Sequence, residues 1–435
     1  MLIERELVQQ IKVFLSRKEY LAIVGPRQSG KTILLDLIKK YLIEEKNIDP
    51  KNIRQITFED RILLNQFDND PIAFVESYKN KSKKTLYLMI DEFQYSENGG
   101  QKLKLIYDTI ENIKIIITGS SSLDIKAQVG KYMVGRILTF NLYPFNFNEF
   151  LVAKNKRLAG VCQEKNKELS DWIFKNKRVK KNSDKKDIFA DEFLKLFENF
   201  CVWGGYPRVV LSKTKIEKRK ILNDIYNNYI LKDIKGLLEL ATDKNLLNLS
   251  RFLSAQMGNI LVYKNLSQTA KLDYRRTISH LEILRETFII DLVKPFFKNR
   301  QKELSKNPKV YFFDTGFRNS LIENMNSFSK RSDGGAMAEN IVFLKLKMLF
   351  GGLNRINFWR AKAGAEVDFV VDFNGEIFPI EVKFSSFEKP TIPRSFMNFV
   401  KNFEVKRGLI LTKDYFGFVK TDNGCKILFY PIYYF

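Results

Sequence analysis

The chain of 435 residues carries a formal net charge of +23 at pH 7, with 45% hydrophobic and 28% charged residues. It is too long for one hydrophobic core, and its composition is that of an ordinary globular protein, so we expect two or three domains. The single histidine, His280, excludes histidine-based metal sites and Ser-His-Asp catalysis, and three widely spaced cysteines exclude a CxxC metal site and argue against a disulfide framework.

The excess of lysine and arginine predicts attraction to polyanions, with nucleic acid as the first candidate partner. A basic surface that serves only solubility explains the charge equally well. The N-terminal sequence has Glu4 and Glu6 where a signal peptide needs basic and then apolar residues, and no apolar run is long enough to span a bilayer. We therefore expect a cytoplasmic protein without a membrane partner.

Residues 21–32 read LAIVGPRQSGKT and contain the pattern G-x-x-x-x-G-K-[ST]. An apolar strand over 20–24 precedes the loop, and helical apolar spacing follows it. Such a loop wraps its backbone amides around phosphates at the positive end of the helix. Lys31 is expected to reach the β- and γ-phosphates, and the Thr32 hydroxyl to bind Mg²⁺.

A second apolar strand ends in Asp91 and Glu92. An aspartate at the tip of a buried strand would orient the Mg²⁺ shell, and Glu92 would polarise the attacking water as a general base. Alternatively, Asp91 would only cap the N-terminus of a following helix.

A third apolar strand, IKIIITG, ends in a group of hydroxyl residues, where Thr118 or Ser120 would sense the γ-phosphate or only form a turn. Arg136 heads the next strand and is predicted to act as an arginine finger, in cis or in trans, or to be a surface arginine paired with an acid. A finger acting in trans would make the active form a homo-oligomer. The residues predicted to bind nucleotide are Gly25, Pro26, Arg27, Gln28, Ser29, Gly30, Lys31, Thr32 and Ser120.

The order GPRQSGKT, LMIDEFQ, ITGSSS and VGRILTFNLYPFNFNEF resembles prokaryotic AAA-type ATPases whose C-terminal half is a domain of unknown function. The resemblance continues through WGGYP, YILKDI (229–234) and VYFFDTGFRN to FWRAKAGAEVDFVV and IEVK, and covers nearly the whole chain outside 153–195. It implies ATP and Mg²⁺ as ligands. It also implies a C-terminal domain similar to the PD-(D/E)xK, or restriction-endonuclease-like, fold.

Residues 151–190 contain twelve Lys or Arg residues against five acids. The stretch KNKRVKKNSDKKD lacks an apolar period and predicts a mobile basic loop, which would follow a phosphate backbone or be a plain solvated insertion. Further on, a helix-turn-helix followed by a strand is predicted, with Asn265 and Asp273 as helix caps. Arg275 and Arg276 would then face outward, where a recognition helix would contact DNA. Alternatively, the helix pair would serve only the packing between domains.

Residues 366–383 read EVDFVVDFNGEIFPIEVK and predict a β-hairpin that turns at Asn374-Gly375. Pairing Phe373 with Glu376 gives one wholly apolar face and sets Asp368 opposite Glu381. Two carboxylates this close repel each other, and a divalent cation would offset the repulsion.

In a PD-(D/E)xK nuclease, which this pattern resembles, Asp368 and Glu381 would hold Mg²⁺ or Mn²⁺ and Lys383 would position the water. Glu339, on a predicted helix, would complete the site or be a solvated glutamate. An ordinary salt bridge between Glu366 and Lys383 explains half of the charged face without a metal.

We therefore predict an α/β protein with a P-loop, AAA-like parallel-sheet domain, a helical and winged-helix middle and a C-terminal restriction-endonuclease-like domain. The predicted ranges are 1–152 for the ATPase domain, 153–195 for the basic insertion, 196–304 for the helical lid and winged helix, and 305–435 for the nuclease-like domain. The favoured hypothesis is an ATP-driven enzyme that processes DNA. The alternative is an ATP-driven switch whose C-terminal domain binds a partner or DNA without cleaving it.

Overall fold

The computed structural model describes residues 2–79, 84–120, 129–177, 179, 187–227, 243–297, 306–351, 355–373 and 375–435. The chain divides into two compact units. Unit 1 comprises Met1–Phe145 and Glu282–Ile289, and unit 2 comprises Asn146–Leu281 and Ile290–Phe435. No helix among the described residues is both long and apolar enough to cross a bilayer.

Unit 1 is built on a five-stranded parallel sheet with strand order β2-β3-β4-β1-β5. Every residue of β1, β3 and β4 is buried, as expected for strands covered on both faces. The strands are β1 Tyr20–Val24, β2 Ile53–Thr57, β3 Leu86–Asp91, β4 Ile113–Gly119 and β5 Ile137–Asn141. The predicted strands at 20–24, before Asp91 and at 113–119 are confirmed.

The helices of unit 1 are α1 Glu6–Lys12, α2 Lys31–Glu44, α3 Arg61–Asn69, α4 Pro71–Tyr78 and α5 Gly99–Thr109. Helix α2 packs on the sheet through an apolar stripe at helical spacing, formed by Leu34, Leu35, Ile38 and Leu42. Because all five strands are parallel, their carboxyl ends lie at one edge of the sheet, and the loop before α2 lies at that edge.

The helices of unit 2 between residues 146 and 260 are α6 Phe147–Lys154, α7 Lys156–Lys175, α8 Ala190–Trp203, α9 Pro207–Leu211, α10 Lys215–Ile225 and α11 Asp243–Ala255. Much of the predicted insertion is therefore helical. The Trp172 ring of α7 packs edge-on against the Phe378 ring at 5.7 Å, and the Trp172 carbonyl accepts a hydrogen bond of 2.6 Å from Arg407. Helix α7, which the sequence did not predict, has a buried apolar face. The basic loop predicted within 175–187 lies mostly outside the described residues.

The predicted helix-turn-helix corresponds to α12 Tyr263–Ala270 and α13 Tyr274–Glu286. Asp273 caps the second helix, because its Oδ1 accepts the Arg276 amide at 2.9 Å. Asn265 is not a cap, since the first helix already begins at Tyr263. Arg275 and Arg276 are exposed, as predicted. The strand β6 Ile290–Val293 follows and pairs antiparallel with β7 Lys309–Phe312.

A six-stranded mixed sheet with order β12-β13-β11-β10-β9-β8 forms the C-terminal part of unit 2. Its strands are β8 Arg355–Arg360, β9 Glu366–Phe373, β10 Glu376–Lys383, β11 Arg407–Thr412, β12 Gly417–Lys420 and β13 Lys426–Pro431. Strand β11 runs parallel to β10 and β13, and the other pairs are antiparallel. The remaining helices are α14 Thr315–Leu321, α15 Gly334–Phe350 and α16 Arg394–Asn402.

The predicted hairpin register is confirmed. Glu376 pairs with Phe373, Phe378 with Val371, and Ile380 with Phe369. Asn374 lies outside the described residues, and Gly375 has the positive φ of 75° that a tight turn requires. The hairpin therefore brings Asp368 and Glu381 next to each other, as the sequence predicted.

Candidate functional site

The loop between β1 and α2 lies at the carboxyl edge of the unit 1 sheet. The Gly25 amide donates a hydrogen bond of 3.2 Å to the Gly119 carbonyl at the end of β4. A Cβ atom on Gly25 would lie 2.1 Å from the Leu142 carbonyl oxygen, so only glycine fits here. Gly30 has a φ of 93°, which favours glycine, and it turns the chain into the first residue of α2, Lys31.

Lys31 is buried, and its ammonium group donates to the carbonyl oxygens of Gly25 at 3.2 Å and Pro26 at 3.3 Å. Burial lowers the pKa of Lys31, and the negative charges of Glu92 and Asp91 oppose this effect. The ammonium group therefore rests on the loop backbone, close to two acids but not in an ion pair with either.

Two side chains of the loop contribute buried polar atoms. Ser29 is fully buried, and neither its Oγ nor the Oε1 of Gln28 has a hydrogen-bond partner among the described residues. A buried polar atom without a partner is costly. The Ser29 hydroxyl would donate to an oxygen of a bound phosphate group, and Gln28 Oε1 would accept from water in the metal shell. Together with the close approach at Gly25, these atoms indicate that the loop fits a phosphate chain.

Thr32 and Asp91 meet across the edge of the sheet. The Thr32 hydroxyl donates a hydrogen bond of 2.5 Å to Oδ2 of Asp91, at the end of β3. The Thr118 hydroxyl donates to Oδ1 of the same carboxylate. Threonine and aspartate oxygens are ligands of the kind that Mg²⁺ prefers, so these residues fit the predicted metal position.

Glu92 follows Asp91 in the left-handed region, with a φ of 55°. Its amide donates to the Thr118 hydroxyl at 3.2 Å. Its carboxylate accepts a hydrogen bond from Nε2 of Gln94, which also donates to Ser120 Oγ at 3.4 Å. Ser120 is therefore joined to Glu92 through Gln94. The Thr118 hydroxyl contacts both acidic residues, because it donates to the Asp91 carboxylate and accepts the Glu92 amide.

Arg136 lies at the opposite edge of the sheet. Its carbonyl accepts the amide of Tyr20, the first residue of β1, at 2.8 Å, whereas the phosphate-binding loop follows the last residue of β1. Its guanidinium forms an ion pair of 3.3 Å with Asp108. The prediction of an arginine finger acting in cis is therefore wrong, because β5 runs parallel to β1 and places Arg136 at the amino edge. A role in trans stays a prediction.

In unit 2, the carboxylates of Asp368 and Glu381 each accept a hydrogen bond from a backbone amide of the neighbouring strand. Asp368 Oδ2 accepts the Val382 amide at 2.8 Å, and Glu381 Oε2 accepts the Asp368 amide at 3.4 Å. Glu381 Oε1 also forms an ion pair of 2.7 Å with Lys383. Glu366 does not pair with Lys383 in this structure but with Lys309, at 2.5 Å.

Glu339 joins the same cluster from α15. Burial, and next the charge of Asp368, raise the pKa of Glu339 to about 7 and that of Glu381 to about 8. Burial also raises the pKa of Asp368. The three acids therefore interact, but within the described parts of the chain no group of three or more His, Cys, Asp or Glu side chains is arranged to hold a metal ion. The predicted ligands Asp368, Glu381 and Glu339 do not form a three-carboxylate centre as they stand.

Family models match three parts of the chain, and none of them reaches half of it. A model of the AAA domain matches residues 17–151. Residues 17–151 are thus similar to AAA domains. Models of two domains of unknown function, DUF8612 and DUF4143, match residues 194–327 and 334–433.

Two relatives match most of the chain at low identity. An uncharacterized protein of Haemophilus influenzae is 25% identical, over 96% of this chain and 98% of that protein. An uncharacterized protein of Methanocaldococcus jannaschii is 27% identical, over 83% of this chain and 74% of that protein. Among solved structures, the Walker-type ATPase of Pyrococcus abyssi matches with 16% identity and a TM-score of 0.42, over 73% of this chain and 95% of that chain.

Four residues that were not predicted from the sequence contact the predicted site residues. Arg5 donates to the carbonyls of Ser29 at 2.8 Å and Tyr143 at 2.6 Å, and Gln94 donates to Glu92. In unit 2, Lys309 pairs with Glu339 at 3.1 Å, and the Tyr311 hydroxyl donates to the same Glu339 oxygen. Gln94 lies two positions beyond Glu92 and could have been considered. Arg5, Lys309 and Tyr311 are distant in sequence, and no spacing rule indicates them.

Proposed function

We propose that unit 1 binds ATP with Mg²⁺ and hydrolyses it. The observation that carries this proposal is the hydrogen bond from Thr32 to Asp91, with Glu92 as the next residue. It brings the end of the phosphate-binding loop, the end of β3 and the Glu92 carboxylate to one edge of the sheet. The match of residues 17–151 to the AAA domain supports the same reading.

In this proposal, different groups of unit 1 bind the triphosphate and activate the water molecule. Loop amides and the Lys31 ammonium would hold the triphosphate, and Lys31 would leave the backbone carbonyls of Gly25 and Pro26 to reach it. Bound Mg²⁺ would neutralise phosphate charge beside Thr32 and Asp91. Glu92 would orient a water molecule and accept its proton, once its carboxylate is released from Gln94.

Hydrolysis is tested by phosphate release from ATP with the wild type, Glu92→Gln and the control Lys40→Gln. Lys40 is exposed on α2 and pairs with Glu44. We expect Glu92→Gln to lower the rate by about 10²–10⁴-fold while ATP binding persists, since a general base contributes this much. Lys40→Gln should match the wild type. A Glu92→Gln protein that hydrolyses ATP at the wild-type rate would refute the assignment of the base.

A second candidate function is metal-dependent cleavage of DNA by unit 2, under control of the nucleotide. What supports it is the hairpin register, which sets Asp368, Glu381 and Lys383 side by side. The net charge of +23 supports DNA as the polyanion. The arrangement of the acids opposes it, because Lys383 and Lys309 already neutralise Glu381 and Glu339. We therefore assign no step of cleavage to these residues.

The alternative is that unit 2 binds DNA or a protein without cleaving, and that ATP controls this binding. The two functions are separated by incubating the chain with plasmid, ATP and Mg²⁺ or Mn²⁺, beside Asp368→Asn and the exposed control Glu388→Gln. Nicking that is lost only in Asp368→Asn supports cleavage. Absence of nicking, together with DNA affinity that depends on the nucleotide, supports the switch.

A further inference from the structure

A cavity of about 570 Å³ in unit 2 lies among α6, α8 and the segment that leads into α10. Four lysines line it, and Glu192 is the acidic residue of its lining. The lysines are Lys154, Lys195, Lys213 and Lys218. A volume of about 300–1,000 Å³ is usual for a pocket that holds a small molecule.

Lys218 is the unusual member of this group because it is 8% exposed. Among the residues that the structure describes, neither a carboxylate nor a hydrogen-bond acceptor pairs with its ammonium group, which faces the Trp203 ring at 5.2 Å. The stem of Lys218 is buried, but its nitrogen is not one of the fully buried polar atoms that lack a partner, so the ammonium group reaches the open space of the cavity. Burial, and next the charges of Lys154 and Lys215, lower the pKa of Lys218 to about 8.

The acids near the cavity have other partners. Glu192 accepts a hydrogen bond of 2.7 Å from Asn155. Glu217 closes the first turn of α10 by accepting the amides of Lys213 and Thr214, each at 3.1 Å. The Lys154 ammonium donates to the Val210 carbonyl, which adds no negative charge. The lining is therefore positive, and the Lys218 ammonium group meets no anion among the described residues.

We infer that this cavity binds the phosphate group of a small anionic ligand, with Lys218 as its central contact. A phosphate suits the site better than a single carboxylate, because several lysines converge on one space and phosphate carries more charge and more acceptor oxygens. The ligand is either a free phosphorylated compound or the 5′-terminal phosphate of a nucleic-acid strand. This inference is independent of the ATP site in unit 1.

The test is calorimetric titration with pyrophosphate in the Lys31→Ala background, in which the loop of unit 1 is disabled. We expect one saturable site, and at least a tenfold loss of affinity, about 1.4 kcal/mol, when Lys218→Met is added. The matched control is Lys220→Met, on the same helix, 75% exposed and paired with Asp224. Absence of a saturable site, or equal affinity with and without Lys218, would overturn the inference.

Two further measurements keep the test decisive. Lys218→Met keeps most of the apolar stem and removes a charge that has no acidic partner, so its thermal midpoint should equal or exceed that of the wild type, and a lower midpoint would mean that Lys218 serves folding. If that variant does not fold, Lys213→Ala, which changes an exposed lysine, must weaken pyrophosphate binding instead.

Competition by a 5′-phosphorylated oligonucleotide, but not by its unphosphorylated form, would identify a strand end as the source. Competition by neither would identify a free phosphorylated compound.

Discussion

The Thr32 hydroxyl and the Asp91 carboxylate are joined by a hydrogen bond of 2.5 Å, although 59 residues separate them in the sequence. This contact joins the phosphate-binding loop to the end of β3. It places a hydroxyl and a carboxylate where one Mg²⁺ ion could contact both, directly or through water.

Replacing Thr32 by valine should raise the Mg²⁺ requirement for ATP hydrolysis. Valine keeps the shape but removes the hydroxyl, so we expect the half-maximal Mg²⁺ concentration to rise by at least about tenfold. The measurement is phosphate release across a Mg²⁺ titration. Thr109→Val, at an exposed position of α5, is the matched control. An unchanged Mg²⁺ requirement in Thr32→Val would contradict the metal position.

Gly25→Ala should destabilise unit 1 and weaken ATP binding. The added methyl group would lie 2.1 Å from the Leu142 carbonyl oxygen, so the loop must shift, at a cost of about 1–3 kcal/mol. Gly130→Ala is the control, because among the described residues no atom beyond its chain neighbours and its own helix backbone lies within 4 Å of the added Cβ. Thermal unfolding and ATP titration of both variants measure the effect. Equal unfolding midpoints for the two variants would show that the close approach is absent.

Lys309→Met should strongly destabilise unit 2. The Lys309 side chain is 3% exposed and pairs with Glu339 and Glu366. Burial lowers the pKa of Lys309, but the charges of Glu339, Asp368 and Glu366 outweigh burial and raise it. Removing one partner of a buried pair costs about 3–5 kcal/mol.

The control for Lys309→Met is Arg251→Met. Arg251 is 47% exposed in its ion pair with Glu323, so its loss should cost about 0–1 kcal/mol. Urea unfolding followed by tryptophan fluorescence compares the two. A cost for Lys309→Met no larger than for Arg251→Met would show that the cluster does not depend on this lysine.

Asp314 should make stability depend on pH. It is buried and accepts the amides of Phe317 and Gly205, each at 2.7 Å. Burial raises the pKa of Asp314 to about 6, so the folded state keeps a proton that the unfolded state has already lost. The stabilisation from this group is therefore complete below about pH 4 and is lost as the pH rises through about 6.

The measurement is the free energy of unfolding of the wild type and Asp314→Asn across this pH window. Asparagine does not titrate, so the advantage of the wild type should shrink by up to roughly 3 kcal/mol between about pH 4 and pH 7. Asp422→Asn, at an exposed position, serves as the control. A wild-type advantage that stays constant over this window would contradict the titration of Asp314.

The sequence predicted best where the signal is local. The loop before Lys31, the strand that ends in Asp91 and the hairpin around Gly375 are each specified by residues within about twenty positions. The register of the hairpin followed from its turn and its apolar face, and the structure has the same pairing from Phe369 to Ile380.

The sequence failed where the answer depends on the order of strands in a sheet. Arg136 precedes β5, and only the parallel pairing of β5 with β1 shows that it lies at the amino edge, away from the loop. Lys309 forms an ion pair with Glu366, which lies 57 positions further along the chain. A lysine in an apolar strand does not indicate such a distant partner. The helical character of residues 156–175 was hidden by their charge, although a buried face runs along that helix.

The proposed function requires residues 25–32 to bind a triphosphate through their backbone amides and Lys31. Calorimetric titration of ATP and Mg²⁺ into the folded wild type and Lys31→Ala measures this binding. We predict one saturable site in the wild type and an affinity lower by at least about 100-fold in Lys31→Ala, which would be a loss of about 2.7 kcal/mol. Absence of saturable binding in the wild type, or equal affinity in Lys31→Ala, would contradict it.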